Sequence, residues 1–238
     1  MGPLRVRRVV TTRMGGASAP PFDSFNLSAN VGDEPGSVAA NRRRLAAGIG
    51  LPEERVVWMS QVHGTSVATI ADLPTGDVED TDAMVTDRPG VALAVLSADC
   101  VPVLLADPLA GVVGVAHAGR VGAASGVLGS VLAAMGRLGA RAAHVEALLG
   151  PSVCGGCYEV PGRMRDEVAE VLPGSACRTR GGTPGLDLRM GLRTQLQTLG
   201  VTRIDADPRC TVEEPTLYSH RGEGRTGRLA SLTWLDRR

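Results

Sequence analysis

Three apolar runs in close succession, Val91–Leu96, Val101–Ala106 and Val112–Ala116, constrain this chain's fold more than any other feature. Each is of strand length and nearly free of polar residues. That is the pattern of strands covered on both faces. A chain holding three such strands must build layers above and below a sheet. Ser97-Ala98-Asp99-Cys100 joins the first two runs, and the third ends in His117. Metal-capable side chains thus stand where rigid strands stop, where loops on a scaffold carry sites. Taken alone, the stretch suits equally well Cys100 as a small buried hydrophobe and His117 as a satisfied core histidine.

Around these runs the sequence predicts an alternation of strands and helices. Leu4–Thr12, with Arg5, Arg7 and Arg8 among its apolar residues, reads as an outer strand. Phe22–Gly32 reads as an irregular Asn/Ser-rich loop. Asp33 is placed to cap a helix over Pro35–Ile49, which Gly50 ends. Short strands over Val56–Ser60 and Ser66–Ile70 flank Gln61-Val62-His63-Gly64. Thr81–Asp87 leads into the central strands. A helix is expected over Val121–Leu138, a strand over Ala143–Leu149 with His144 inside it, and helices over Glu159–Leu172 and Leu186–Leu199. A Gly/Pro loop spans Pro173–Gly185, and strands close the chain at Val201–Ala206 and Leu229–Leu235. No repeat, low-complexity tract or linker interrupts it, so one mixed-sheet α/β domain over residues 1–238 is expected. No G-x-G-x-x-G follows a strand, which argues against Rossmann topology.

Composition removes several function classes. Net charge is zero and aromatic content is 3%, so neither electrostatic capture nor a base-stacking platform for nucleic acid is expected. No apolar stretch is long and uniform enough to span a membrane. The chain contains no lysine. Schiff-base chemistry and a Walker-type phosphate loop are therefore excluded, and any bound anion must be held by arginine or backbone N–H. Five cysteines, an odd number, with no secretory signal in the first residues, point to a reducing cytoplasm.

Of the four histidines, His63 and His117 stand in glycine-flanked turns. With Cys100 they make a His₂Cys zinc set, whose three protein ligands would leave a fourth position open. The spacing matches no finger or ribbon. Asp99, next to the thiol, suits a supporting or proton-shuttling role. Cys154-Gly155-Gly156-Cys157 is a lone C-x-x-C. Without a second such pair it reads as a glycine turn lining a cleft, with Cys157 near a helix start.

Several motifs together carry a resemblance. TTRMGGASAPPFDSFNLSANVGDEPGSVAANRRRLA at 11–46, QVHG at 61–64, DAMVT at 82–86 and SADCVPVLLAD at 97–107 are followed by AHAG at 116–119, GPSVCGGCYEV at 150–160 and TGR at 226–228. In this order they resemble the laccase-domain, YfiH-like family, also called multicopper polyphenol oxidoreductases or purine nucleoside phosphorylases. The likeness spans essentially the whole chain. It implies an α/β sandwich like the catalytic domain of cytotoxic necrotizing factor. It implies zinc on His63, Cys100 and His117, and catalysis by these three with Asp99. The implied activity is phosphorolysis of adenosine, inosine, guanosine and methylthioadenosine, with adenosine deamination at the same site. Removal of wrongly incorporated residues from peptidoglycan precursors is the alternative, and a zinc-holding binding module ranks below both. Four histidines are too few for a blue copper plus a trinuclear cluster, which argues against a true laccase. Arg13, Asn41 and Arg120 are the expected substrate-binding residues, with Arg13 and Arg120 as phosphate holders. The family often reads HAGWRG where this chain has His117-Ala118-Gly119-Arg120-Val121-Gly122, so Arg120 stands in the tryptophan position and Val121 in that of the usual arginine. The usual double cysteine before YEV is Gly156-Cys157, and a common paired arginine is Arg221-Gly222. The sequence leaves oligomeric state open.

Overall fold

The structure is a computed structural model that describes residues 4–237. In chain order its strands are β1 (Leu4–Val10), β2 (Val56–Val57), β3 (Val67–Thr69), β4 (Ala83–Thr86), β5 (Ala92–Ser97) and β6 (Val101–Asp107). They continue as β7 (Val112–Ala118), β8 (Glu146–Leu149), β9 (Ala176–Arg178), β10 (Pro184–Leu186), β11 (Arg203–Ala206) and β12 (Leu229–Arg237). The helices are α1 (Pro35–Ile49), α2 (Arg120–Ala124), α3 (Val127–Arg137), α4 (Gly162–Val171), α5 (Leu188–Thr198) and α6 (His220–Glu223).

Two mixed sheets form the centre. One runs β1-β12-β5-β2 and the other β11-β8-β6-β7-β4-β3, while β9 and β10 make a separate ribbon. Side-chain alternation assigns each face. Leu93 and Val95 of β5 pack with Leu104 and Ala106 of β6 and Val113 and Val115 of β7, which closes the sheets on each other. The opposite residues, Ala92, Ala94 and Leu96, meet Leu45 and Ala46 of α1 and Trp58. Val103 and Leu105 face the other way, onto Val127, Leu128 and Val131 of α3 and Leu192 and Leu196 of α5. Four layers result: helix, sheet, sheet, helices. This is why β5, β6 and β7 are buried at every residue, as their sequences demand.

Several elements differ from expectation. Asp33 does not cap α1. The N-cap position is Glu34, without a side-chain cap bond, and the Asp33 carboxylate instead accepts from Asn26 Nδ2 at 2.9 Å and from the Glu34 N–H at 2.8 Å. The helix expected over Val121–Leu138 breaks at Gly126, whose φ of +88° is left-handed. Thr81–Asp87 contains the fully buried strand β4, too short to stand out as a periodic pattern. Val56–Ser60 contracts to β2, and His144 lies in a single 3₁₀ turn before β8. The helix expected from Glu159 begins at Gly162, behind Pro161 as N-cap. The loop Pro173–Gly185 contributes both strands of the ribbon. Among the described residues no helix is long and apolar enough to cross a membrane.

Candidate metal centre and its pocket

One carboxylate organises the site. Asp82 precedes β4 and is fully buried. Its oxygens accept the backbone N–H groups of Val62 at 3.2 Å, His63 at 2.9 Å and Gly64 at 2.6 Å. They hold a turn in which His63 has φ +62°, a left-handed backbone that costs roughly 1–2 kcal/mol at a non-glycine residue. Oδ1 of Asp82 also accepts Nδ1–H of His117 at 2.9 Å, which leaves Nε2 of His117 as the lone-pair atom. The His117 N–H, at the end of β7, donates to the Asp82 carbonyl at 2.8 Å. Gln61 pins the same turn to β5, donating to Leu96 O at 2.8 Å and accepting from Leu96 N at 2.7 Å.

Cys100 completes the cluster from the residue before β6. Its Sγ lies 3.9 Å from Nε2 of His63, and the two imidazole rings meet edge-on at 4.7 Å between centroids. The donor atoms of His63, Cys100 and His117 all lie within 4.8 Å of one another. Glycines make that approach possible. A Cβ on Gly119 would stand 2.9 Å from Cδ2 of His63 and 3.0 Å from Sγ of Cys100, and one on Gly122 would stand 2.9 Å from Gly64 O. Two imidazoles and a thiol converging on one point fit a transition-metal site with an open position. His63 is exposed and Cys100 half-buried, so the open side faces solvent.

The donors are electrostatically coupled. Burial opposes ionisation of Cys100, but hydrogen bonds from His117 and His63 outweigh it and hold the thiol down at about 6. Burial likewise opposes charge on His117, yet its bonds to Asp82 and Cys100 raise it to about 9. Protein stripped of metal therefore carries a thiolate–imidazolium pair at neutral pH. Between the ordinary values of 6.5 for histidine and 9.0 for cysteine, the unfolded chain binds its proton on the cysteine and the folded chain on the histidine. The proton count is the same, so this pair leaves stability flat with pH across that interval. Alkylation of Cys100 in metal-stripped protein is expected to be half-maximal at about pH 6 and to level off well below the ordinary thiol value of 9.0. A rate still climbing toward pH 9 would mark an ordinary thiol.

The three donors line a cavity of about 710 Å³. Arg120, the first residue of α2, lines it too, with Arg221, Arg228 and Tyr158. The Arg221 guanidinium sits 5.0 Å over the Tyr158 ring. Arg228 donates to the carbonyls of Thr226 and Gly227, and burial lowers its pKa. Asp99, at φ +99°, also lines the cavity, but its carboxylate is occupied. It accepts from Thr211 Oγ1 at 2.6 Å, Ser219 Oγ at 2.7 Å and the Arg221 N–H at 2.6 Å. Asp99 thus fastens the wall that carries His220 and Arg221.

Two expected substrate-binding residues lie elsewhere. Arg13 is outside the cavity lining. Its guanidinium donates to Glu223 at 2.9 Å and to Asp23 O at 3.0 Å, and it covers the Tyr218 ring. Asn41 is buried. It donates to Ser18 Oγ and to the carbonyls of Ser24 and Asn26, and it accepts from Ala17 N. Both residues weld the 13–26 loop to the body of the protein. The C-x-x-C also departs from expectation: Val153 and Tyr158 line the cavity, whereas Cys154 and Cys157 turn toward Cys210. Sequence reasoning did not assign a role to Asp82, Arg228 or Tyr158, although each sits inside a quoted motif. A lone aspartate before an apolar strand was the available signal for Asp82.

Comparisons with known proteins agree over nearly the full length. A family model described as multi-copper polyphenol oxidoreductase laccase matches residues 7–236. A purine nucleoside phosphorylase of Mycobacterium bovis is 57% identical over 233 residues, covering 98% of this chain and 93% of the relative. One of Corynebacterium glutamicum is 51% identical over 234 residues, covering 98% and 95%. Among solved structures, YlmD from Geobacillus stearothermophilus superposes with a TM-score of 0.90 at 36% identity, covering 98% of this chain and 92% of that one. The Neisseria meningitidis protein NMB0706 gives 0.88 at 37% identity, covering 97% and 94%.

Proposed function

The chain belongs to the multi-copper polyphenol oxidoreductase laccase family, and on that premise we propose that it is a purine nucleoside phosphorylase with zinc at His63, Cys100 and His117. One observation carries the reading. In a chain without lysine, Arg120, Arg221 and Arg228 share a single cavity with the two histidines and the cysteine. The cavity volume lies within the range of small-molecule sites, roughly 300–1,000 Å³. The names of the Mycobacterium bovis and Corynebacterium glutamicum relatives support the same activity.

The chain's own residues divide the work. The arginines hold the phosphate dianion, for which guanidinium groups are suited by charge and bidentate geometry. Tyr158, already covered on one side by Arg221, offers an aromatic face to the base. Asp82 fixes the His117 tautomer and the His63 turn. Bound zinc would supply Lewis acidity at the open side of the donors. In phosphorolysis a phosphate oxygen bonds to the anomeric carbon as the glycosidic C–N bond breaks. The electron pair leaves on the purine, giving free base and ribose 1-phosphate. Adenosine, inosine, guanosine and methylthioadenosine are the proposed nucleosides, with adenosine deamination at the same site. The reading carries with it a reducing cytoplasmic location, which five free cysteines support. Likeness in fold to the catalytic domain of cytotoxic necrotizing factor belongs to the same proposal and rests on the motifs alone.

Chromatography of inosine reactions tests it. Hypoxanthine and ribose 1-phosphate are expected with phosphate, and no free base without it. Arg228→Ala is expected to raise the KM for phosphate by roughly ten- to a hundred-fold, the loss of a charge-assisted contact of about 1.5–3 kcal/mol. Arg13→Ala is expected to leave that KM unchanged, because its guanidinium is held by Glu223 and Asp23. Failure of every purine nucleoside to yield base, or release of an amino acid from a peptidoglycan-type peptide instead, would overturn the assignment.

A further inference from the structure

Beside the pocket wall, Cys154, Cys157, Cys210 and Glu213 bring four donor atoms within 4.8 Å of one another. We propose that these four residues form a second metal site, a closed structural one that takes zinc. The sequence offered only half of it. A lone C-x-x-C lacks a partner pair, and the partner here is a C-x-x-E, Cys210-Thr211-Val212-Glu213.

Backbone geometry makes the two halves alike. In the first turn the Cys157 N–H donates to Cys154 O at 2.9 Å. In the second the Glu213 N–H donates to Cys210 O at 3.1 Å. Each turn therefore brings a first and a fourth residue round to the same side, the purpose of such spacing in zinc sites. The two turns are joined directly. Ser152 and Cys210 form a parallel bridge, the Thr211 N–H donates to Ser152 O at 3.2 Å, and the Cys154 N–H donates to Sγ of Cys210 at 3.3 Å. An N–H aimed at a sulfur favours the thiolate form. Glu213 Oε1 lies 3.5 Å from Sγ of Cys157.

The donor chemistry selects the ion. Three thiolates with one carboxylate are soft enough for zinc and number the four that a tetrahedral site needs, with no position left for substrate. Such a set is rich in negative charge. Arg180 offsets it, with Nη1 3.2 Å from Sγ of Cys157 and in contact with the Glu213 carboxylate. The consequence for the protein is positional. The first turn is tethered through the Val153 N–H to Asp99 O at 3.0 Å, and the second carries Thr211, whose hydroxyl donates to the Asp99 carboxylate. Zinc here would pin together the two segments that form one side of the cavity.

Metal counting tests this without reference to activity. Protein purified under reducing conditions is loaded with excess zinc, desalted and analysed for bound metal. Wild type is expected to retain about two zinc ions, Cys100→Ala about one, and Cys154→Ser/Cys210→Ser about one. Cobalt-loaded Cys100→Ala should show tetrahedral d–d bands with sulfur-to-metal charge transfer. Adding Glu213→Cys should keep the metal and intensify that charge-transfer band. Should the double serine variant fail to fold, the Cys100→Ala and Glu213→Cys measurements still decide. No retained metal in Cys100→Ala would overturn the site. So would a Cys154–Cys157 disulfide found by mass in the reduced protein, or wild-type zinc content in the double serine variant. Copper in place of zinc after growth with both would overturn the choice of ion.

Discussion

Replacing Asp82 with alanine is expected to lower unfolding stability by about 3–5 kcal/mol, the usual cost of removing one partner from a buried charged pair. The same change should abolish metal retention at His63, Cys100 and His117. The carboxylate answers four donors at once: the His117 ring and the backbone N–H groups of residues 62, 63 and 64. Alanine leaves all of them buried or half-buried without an acceptor, and it frees a turn whose central histidine has left-handed backbone. Asp82→Asn separates the two effects. The amide keeps the volume and one acceptor oxygen, so much of the stability should return. Metal affinity should still fall by about ten- to a hundred-fold, the usual effect of losing a partner behind a ligating histidine. Urea unfolding and zinc titration are the measurements. Wild-type values in both would remove Asp82 from the site.

Gly119→Ala is expected to do the reverse and damage the site while sparing the fold. Gly119 has an ordinary φ of −71°, so alanine meets no backbone penalty there. Its methyl would press on the His63 ring at 2.9 Å and the Cys100 sulfur at 3.0 Å. Both are side-chain atoms that can yield, and in yielding they separate the donors. Overpacking strain of about 1–3 kcal/mol then falls on metal binding, which is roughly a five- to hundred-and-fifty-fold loss of affinity. The unfolding midpoint of metal-stripped protein should barely move. A midpoint shift as large as that of Asp82→Ala would place the strain in the backbone instead.

How far the sequence carried depends on the range of the interactions. The central strands were legible because burial on both faces writes an unbroken apolar run, and α1 because Pro35 and Gly50 mark its ends. The three clustered donors stood out through glycines and strand ends. Asp82 did not, because its partners lie 18 to 35 residues away and its one local signal, an aspartate before a short apolar strand, is weak. Arg13, which the structure places outside the cavity lining, is the opposite case. A motif made it conspicuous, while its ion-pair partner Glu223 lies 210 residues on. The C-x-x-E half of the cysteine cluster stayed hidden because a carboxylate ligand matches no pattern of cysteines and histidines. The break at Gly126 was missed because apolar spacing continues across it while the backbone does not.

The position of β12 has a further consequence, for synthesis rather than catalysis. It lies between β1 and β5, pairing Leu4 with Arg237 on one side and Ser97 with Leu229 on the other. The last of the described strands in chain order is thus a central member of the four-stranded sheet. A nascent chain still lacking those nine residues already holds His63, Cys100 and His117, yet offers β1 and β5 as open edges, the surfaces most prone to pair with a neighbouring chain. Closure of that sheet must wait until β12 itself has left the ribosome. Deleting β12 should therefore cost soluble yield far more than a short insertion at an exposed turn such as Gly181-Gly182.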